Sequence, residues 1–210
     1  MTRPYALLRA GFPYVKTLGT RRFTNFPMDL AIGEEGRLYT LCDDFGARFI
    51  DKLTWEDEDL GWIPEGGKGE GALKWPGGLI RDREENLYVS DQATHTITSF
   101  TKEGKYLSRW GDHGDGDGQL NRPSGIAFDA EENIYVSDTM NHRTQKFTKD
   151  GKFLTKWGAH GDGDGEFNMP WGLATDESEN VYVADWRNNR IQKFTADGEF
   201  ILKFGSAGTD

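Results

Sequence analysis

The chain has 210 residues, a hydrophobic fraction of 36% and a formal net charge of -10. That length allows one ordinary domain or an array of small units. The acidic balance, with no block of Lys and Arg, excludes nucleic acid as the expected partner, because a phosphate-binding surface needs clustered positive charge.

The 7 Trp, 7 Tyr and 13 Phe argue against disorder, since disordered chains lack the large apolar residues of a core. Together with 27 Gly and few long apolar runs, they suit an all-β repeat fold. Cys42 is the only cysteine, so no intramolecular disulfide forms, and it reads as a small buried hydrophobe. The first residues hold no apolar run long enough for a signal peptide or a membrane span. The expectation is a cytoplasmic protein with no membrane partner.

In chain order, the first predicted element is a strand at Tyr14 to Leu18, which matches Phe153 to Trp157 later in the chain. It is an orphan, a fourth strand without its first three. Four units follow, at about residues 23–66, 67–114, 115–161 and 162–205. The clearest is the third. A short apolar run at Gly125 to Asp129 is followed by a polar turn at Ala130 to Asn133. Then come the β-branched and aromatic run Ile134 to Asp138, a polar connection, the alternating run Thr144 to Thr148, and Phe153 to Trp157. Each unit therefore holds four strands of about five residues. The Asp150-Gly151 pair predicts a hairpin turn in which both residues take positive φ. No stretch has a helical period, and no helix is expected.

The repeat is anchored by Pro76, Pro123 and Pro170, which are 47 residues apart. Gly78, Gly125 and Gly172 follow them at a fixed spacing. The first unit has Pro27 with Asp29 in the glycine position and carries two extra residues, placed in the Cys42 to Phe49 connection. A four-stranded meander alone exposes both apolar faces, and stacking such sheets around an axis buries them. The expected fold is an all-β propeller of four-stranded blades, with four full blades and the orphan N-terminal strand. After the last unit, Gly205 to Asp210 reads as the start of another linker. The closed ring is thus expected to take more chain than these units; the alternatives are closure through a second copy or an irregular four-bladed ring.

The residues G-D-G-x-[LF]-N-x-P-x-G, then N-[IV]-Y-V-[SA]-D-x-x-N-x-R-x-Q-K-F-T, resemble the NHL repeat. Pro123, Gly125, Asn133, Tyr135, Asp138, Asn141, Arg143 and Gln145 carry the resemblance, as do Pro170, Gly172, Asn180, Tyr182, Asp185, Asn188, Arg190 and Gln192. The second unit keeps Asn86, Tyr88 and Asp91 but has Thr94 and Thr96 for Asn and Arg; the first keeps Tyr39 and has Cys42 for Asp. The resemblance implies a ring of six blades. It does not fix the function, because propellers host protein and RNA binding, sensing and metal-dependent lyase chemistry.

In such a blade the second-to-third and fourth-to-first connections share one face, the expected binding face. Asp138, Arg143, Asp185 and Arg190 recur at equivalent positions and are expected to lock blades structurally. Function is expected where the copies differ, next to the prolines and in the same loops. The contact candidates are Trp75, Arg122, Ser124, Met169, Trp171, Trp186, Asn141 and Asn188, since aromatic and Arg side chains dominate interface energy.

His95, His142, His113 and His160 would lie on this face too. Equivalent residues in neighbouring blades are about 10 Å apart, the spacing of stacked sheets, against zinc bonds of about 2 Å. No shared metal is therefore expected. Asp115, Asp117, Asp162 and Asp164 hint at calcium, but their spacing lacks the later bidentate Glu of a calcium loop. No cofactor is predicted; calcium or zinc is the alternative. No nucleophile, base and orienter stand in a catalytic order. The expected function is a protein- or peptide-binding or scaffold module, with a metal-dependent lyase or hydrolase at the channel mouth as the alternative.

Overall fold

Each repeat folds as an antiparallel four-stranded meander. The structure is a computed structural model that describes residues 26–44, 47–63, 69 and 71–208; the orphan strand expected at Tyr14 to Leu18 lies outside the described residues. The first blade is β1 (Pro27–Ile32), β2 (Arg37–Asp44), β3 (Ala47–Thr54) and β4 (Asp59–Ile63). The second is β5 (Pro76–Arg81), β6 (Leu87–Asp91), β7 (Thr96–Phe100) and β8 (Tyr106–Trp110). The third is β9 (Pro123–Phe128), β10 (Ile134–Asp138), β11 (Arg143–Phe147) and β12 (Phe153–Trp157). The fourth is β13 (Pro170–Thr175), β14 (Val181–Asp185), β15 (Arg190–Phe194) and β16 (Phe200–Phe204). Strand order follows the chain in all four sheets, as short turns between neighbours require.

The turns have local causes. Between β9 and β10, Asp129 accepts hydrogen bonds from the Asn133 backbone N–H at 2.7 Å and its side-chain amide at 2.8 Å. Asp82 with Asn86, and Asp176 with Asn180, repeat this arrangement. In the first blade Gly33 stands in the Asp position. The residue after it, Glu34, donates its N–H to Glu85 of the next blade at 2.7 Å, as Arg83 does to Glu132 where the Asp is present.

The β11–β12 turn differs from the sequence expectation. Gly151 has φ 83°, but Asp150 is not left-handed. The turn closes through Gly151 N–H to the Thr148 carbonyl and Thr148 N–H to the Lys152 carbonyl, both at 2.9 Å. A register shift between Lys146 and Phe147 marks a bulge. Only glycine therefore needs the left-handed region. The first blade builds the same turn with Asp57, at φ 66°. The expectation of no helix is corrected twice among the described residues: one-turn 3-10 helices occupy Thr139–Asn141 and Trp186–Asn188. Three residues are too few to show a period in sequence.

Blades stack along their inner strands: β1 on β5, β5 on β9, β9 on β13. Among the described residues, β13 and β1 have no comparable packing. The approach is close enough to dictate glycine. A Cβ on Gly78 would sit 2.9 Å from the Ser124 carbonyl oxygen. One on Gly125 would collide with the Trp171 carbonyl and lie 2.7 Å from the Leu173 nitrogen. Asp29 replaces this glycine in the first blade and bridges the interface, its carboxylate accepting from Leu79 N–H at 2.7 Å.

Among the described residues, three cores fill the interfaces. Tyr39, Leu41 and Ile50 meet Leu87, Val89 and Phe100. Tyr88 and Ile97 meet Ile134, Val136 and Phe147. Tyr135 meets Val181, Val183 and Phe194. Burying each such side chain contributes about 1.5–3 kcal/mol. At the rim, the last residue of each outer strand seats on the next blade's turn. Ile63 lies against Gly104, Trp110 against Gly151 and Trp157 against Gly198; a Cβ at Gly151 or Gly198 would come within 2.5 Å of the indole. Phe204, at the same position in β16, is exposed.

These contacts predict unequal tolerance at equivalent glycines. Gly125→Ala should destabilise the protein by about 1–3 kcal/mol, the usual cost of overpacking. Gly172→Ala, where a Cβ meets only the Ala184 Cβ at 3.7 Å, should stay within about 0.5 kcal/mol of the parent in urea unfolding.

Candidate functional site

The face that carries the linkers is built from the ends of β10 and β14. Asp138 ends β10 and is fully buried. Its Oδ1 accepts from Asn121 N–H at 2.6 Å; its Oδ2 accepts from Asn141 Nδ2 at 2.8 Å, Arg143 Nε at 2.7 Å and Gln145 Nε2 at 3.0 Å. Burial pushes the Asp138 carboxyl above its ordinary value, while the Asn121, Asn141 and Arg143 donors oppose the rise. Arg143 turns the rest of its guanidinium on the linker, donating to the carbonyls of Asp115 and Gly116 at 2.8 Å and of Gln119 at 2.9 Å. Asn141 adds a bond to the Gly114 carbonyl at 2.8 Å. The same lock recurs with Asp185, Asn188, Arg190 and Gln192, reaching Gly161, Asp162, Gly163 and Glu166.

The lock decides what the linkers can do. Carbonyls that would have to coordinate a calcium ion already face a guanidinium. Asp117 and Asp164 point instead to Lys156 and Lys203. Among the described residues, no group of three or more His, Cys, Asp and Glu side chains is disposed to hold a metal ion.

The contact candidates separate by exposure. Trp75 is exposed, and the Arg122 guanidinium lies over its ring at 5.5 Å. Trp171 and Trp186 are exposed and meet edge to face at 5.6 Å. Arg187, which the sequence reading missed, lies 4.6 Å over the Trp186 ring. Met169 is half-buried. Asn141 and Asn188 are partly buried, their amides engaged in the locks. Ser124 is corrected: it is fully buried, its hydroxyl bonded to Thr139 Oγ1 at 2.7 Å and the Trp171 carbonyl at 2.9 Å. It joins two inner strands and offers nothing to a ligand.

The histidines pair in a way that sequence equivalence hides. His95 packs at a tilt against His113 with ring centroids 4.3 Å apart, and His142 meets His160 edge to face at 4.4 Å. Each pair joins a loop after a second strand to the following linker. His95 Nδ1 accepts the Arg122 N–H at 3.0 Å, and His142 Nδ1 accepts the Met169 N–H at 3.1 Å. Burial and the neighbouring imidazole hold both below the ordinary histidine value.

Ion pairs that tie blades together sit on the opposite face. Glu85 accepts from Glu34 N–H and pairs with Arg37 at 2.7 Å. One blade on, Glu132 accepts from Arg83 N–H at 2.7 Å and pairs with Lys149 at 2.9 Å. Lys149 also reaches Asp82 at 3.3 Å. These carboxylates raise Lys149 well above its ordinary value. Burial, reinforced by Asp82, pushes the Tyr88 phenol up to about 12.

Arg143→Lys keeps the charge but loses the fork. It should cost about 2–4 kcal/mol, in the range of strong hydrogen bonds lost at a buried charge, and should speed proteolysis in the 111–122 linker. Lys156→Ala removes an exposed ion pair and should cost under about 1 kcal/mol. Urea unfolding and timed digestion read both.

Residues 120–147 and 167–194 match the NHL repeat family. No curated protein sequence matches the chain. Solved structures of similar shape include virginiamycin B lyase from Staphylococcus aureus, at 17% identity and TM-score 0.65, over 89% of this chain and 57% of that one. A gluconolactonase from Xanthomonas campestris aligns at 20% identity and TM-score 0.65, over 86% of this chain and 62% of that one. U3-55K aligns at 15% identity and TM-score 0.68, over 88% and 53%. The chain thus spans less than two-thirds of each of these proteins. At such identities the likeness is one of fold. With NHL repeats matched in its third and fourth blades, and four four-stranded blades stacked along their inner strands, the chain is a β-propeller that carries NHL repeats.

Proposed function

We propose that this chain is a binding or scaffold module for a protein or peptide, which it contacts through the linker face. The observation that carries this reading is the division of labour on that face. Residues common to the repeats are engaged in the locks, whereas several of those that vary stand out from them. Trp75 with Arg122, and Trp171 with Trp186 and Arg187, form two exposed aromatic and cationic clusters. Such side chains bury large area at low entropic cost and are favoured at interface centres.

The fold also hosts enzymes, as the lyase and gluconolactonase neighbours illustrate. A metal-dependent lyase or hydrolase at the channel mouth is the second reading. The histidine geometry weighs against His95 and His142 as its ligands. In a neutral imidazole whose Nδ1 accepts a backbone N–H, the proton sits on Nε2. Neither nitrogen is then open to a metal without loss of that bond.

Peptides selected from a random displayed library against the immobilised protein test the binding reading. The Arg122→Ala, Trp171→Ala double variant should weaken the selected peptides at least about 10-fold, or about 1.4 kcal/mol. Peptides that bind the double variant as well as the parent would remove this face from the reading. Elemental analysis of the purified protein addresses the second. Stoichiometric zinc or calcium whose removal abolishes a hydrolytic or lyase activity would replace a binding module with an enzyme.

A further inference from the structure

The loops before Pro123 and Pro170 share a feature that the binding reading does not use. Arg122 and Met169 both sit at positive φ, 55° and 57°, a sparsely populated region for residues with a side chain. Something must hold them there, and each has one backbone donor directed at an imidazole. Arg122 N–H donates to His95 Nδ1, and Met169 N–H donates to His142 Nδ1. His95 and His142 are left-handed too, at φ 61° and 54°. The residue that accepts and the residue that donates are thus both held in conformations that the chain would otherwise leave.

An imidazole accepts at Nδ1 only while it is neutral. Protonation puts N–H on both ring nitrogens and removes the acceptor. We propose that the His95–His113 and His142–His160 pairs are proton-released latches, closed at neutral pH and opened by mild acid, which free Arg122 and Met169 from their fixed positions on the linker face.

Three features support the latch. It occurs twice, at equivalent positions, with the same donor, acceptor and partner ring. The second imidazole penalises charge on the first. Trp75, which also precedes a proline, is held without histidine: its N–H donates to the Asp91 carboxylate at 3.2 Å.

The charges facing His95 are His113 and Arg122 from the linker, which disfavour its protonation, and Asp91 and Asp138 from the ends of β6 and β10, which favour it. Those facing His142 are His160, which disfavours protonation, and Asp185, which favours it. Burial adds to the first group, and the net direction for both is downward from 6.5. The sign follows. A histidine depressed in the folded state keeps its full contribution above its unfolded value and loses it as the pH falls through the lower folded value. The latch therefore opens below about pH 6.5. Arg122 then loses its place over Trp75, so acid should loosen whatever this face holds. Only that last consequence rests on the binding reading.

Amide resonances of the whole chain, followed by 15N correlation spectra from about pH 8 to about pH 5, test the proposal in the window where histidine titrates. Arg122 and Met169 should both shift, with midpoints below 6.5. In His95→Gln the Arg122 response should vanish while that of Met169 persists, which also shows that the variant is folded. His113→Gln, which removes the neighbouring charge, should raise the Arg122 midpoint. An Arg122 amide that does not respond to pH, responds equally in His95→Gln, or has a midpoint at or above 6.5 would overturn the latch. The readout needs no partner, so a linker face that binds nothing leaves the latch standing, and a failed latch leaves the binding reading standing.

Discussion

A carboxylate taken out of water stays in place only if donors surround it, and Asp138 has four: a backbone N–H, an amide from Asn141, another from Gln145 and the Arg143 guanidinium. The rest of the linker face depends on that constraint. Arg143 is drawn in by the buried charge, and its free edge gathers the carbonyls of a Gly-rich loop that has few apolar contacts to order it. The loop in turn positions Arg122 and the proline that begins the next inner strand. One buried charge thereby fixes about a dozen residues of otherwise irregular backbone, and its counterpart Asp185 does the same one blade later. The most regular part of the repeat is thus occupied in holding the face together. Its chemistry falls to residues that the lock leaves unconstrained.

Contacts on the opposite face work differently. Glu85 and Glu132 reach across to turns of the preceding blades, so charge joins one blade to another there, while on the linker face it joins a blade to its own entry loop. Between the two faces the apolar cores and the glycine-mediated approach of the inner strands set the spacing. Each level suits its surroundings: tight main-chain contact near the axis, hydrocarbon in the middle, aromatic rings on glycine turns at the rim.

Much of this was legible in the residues. The constant offset of Pro76, Pro123 and Pro170 gave the repeat, the strand count and the stacking, because a unit that cannot bury its own faces must stack. The partnership of Asp138 with Arg143 was legible as well, since it recurs in register. Ser124 was not. It occupies a position that varies between repeats, and only the close approach of β13 makes it interior. The histidine pairs were hidden for a related reason. Comparing equivalent positions correctly keeps His95 and His142 apart, yet the contact is between non-equivalent residues, one in a blade and one in the next linker. Glu85 and Glu132 carried no signal in sequence, because the turn that each serves lies in another unit. Asp150-Gly151 marked a hairpin correctly but not its type, since a single left-handed glycine followed by a bulge uses the same pair of residues.

The turn at Asp57 separates two reasons for glycine that the sequence alone merges. Asp57 takes φ 66° with a side chain present, so the shape of the backbone does not by itself demand glycine. Ile63, Trp110 and Trp157 each rest where the following blade's turn presents a bare α-carbon, and a Cβ at Gly104, Gly151 or Gly198 would come within 3.0 Å of the incoming side chain. At those turns glycine serves the neighbouring blade as well as the hairpin. Alanine there would fail first at the joint between blades, where a close-packed contact has no room for another methyl group.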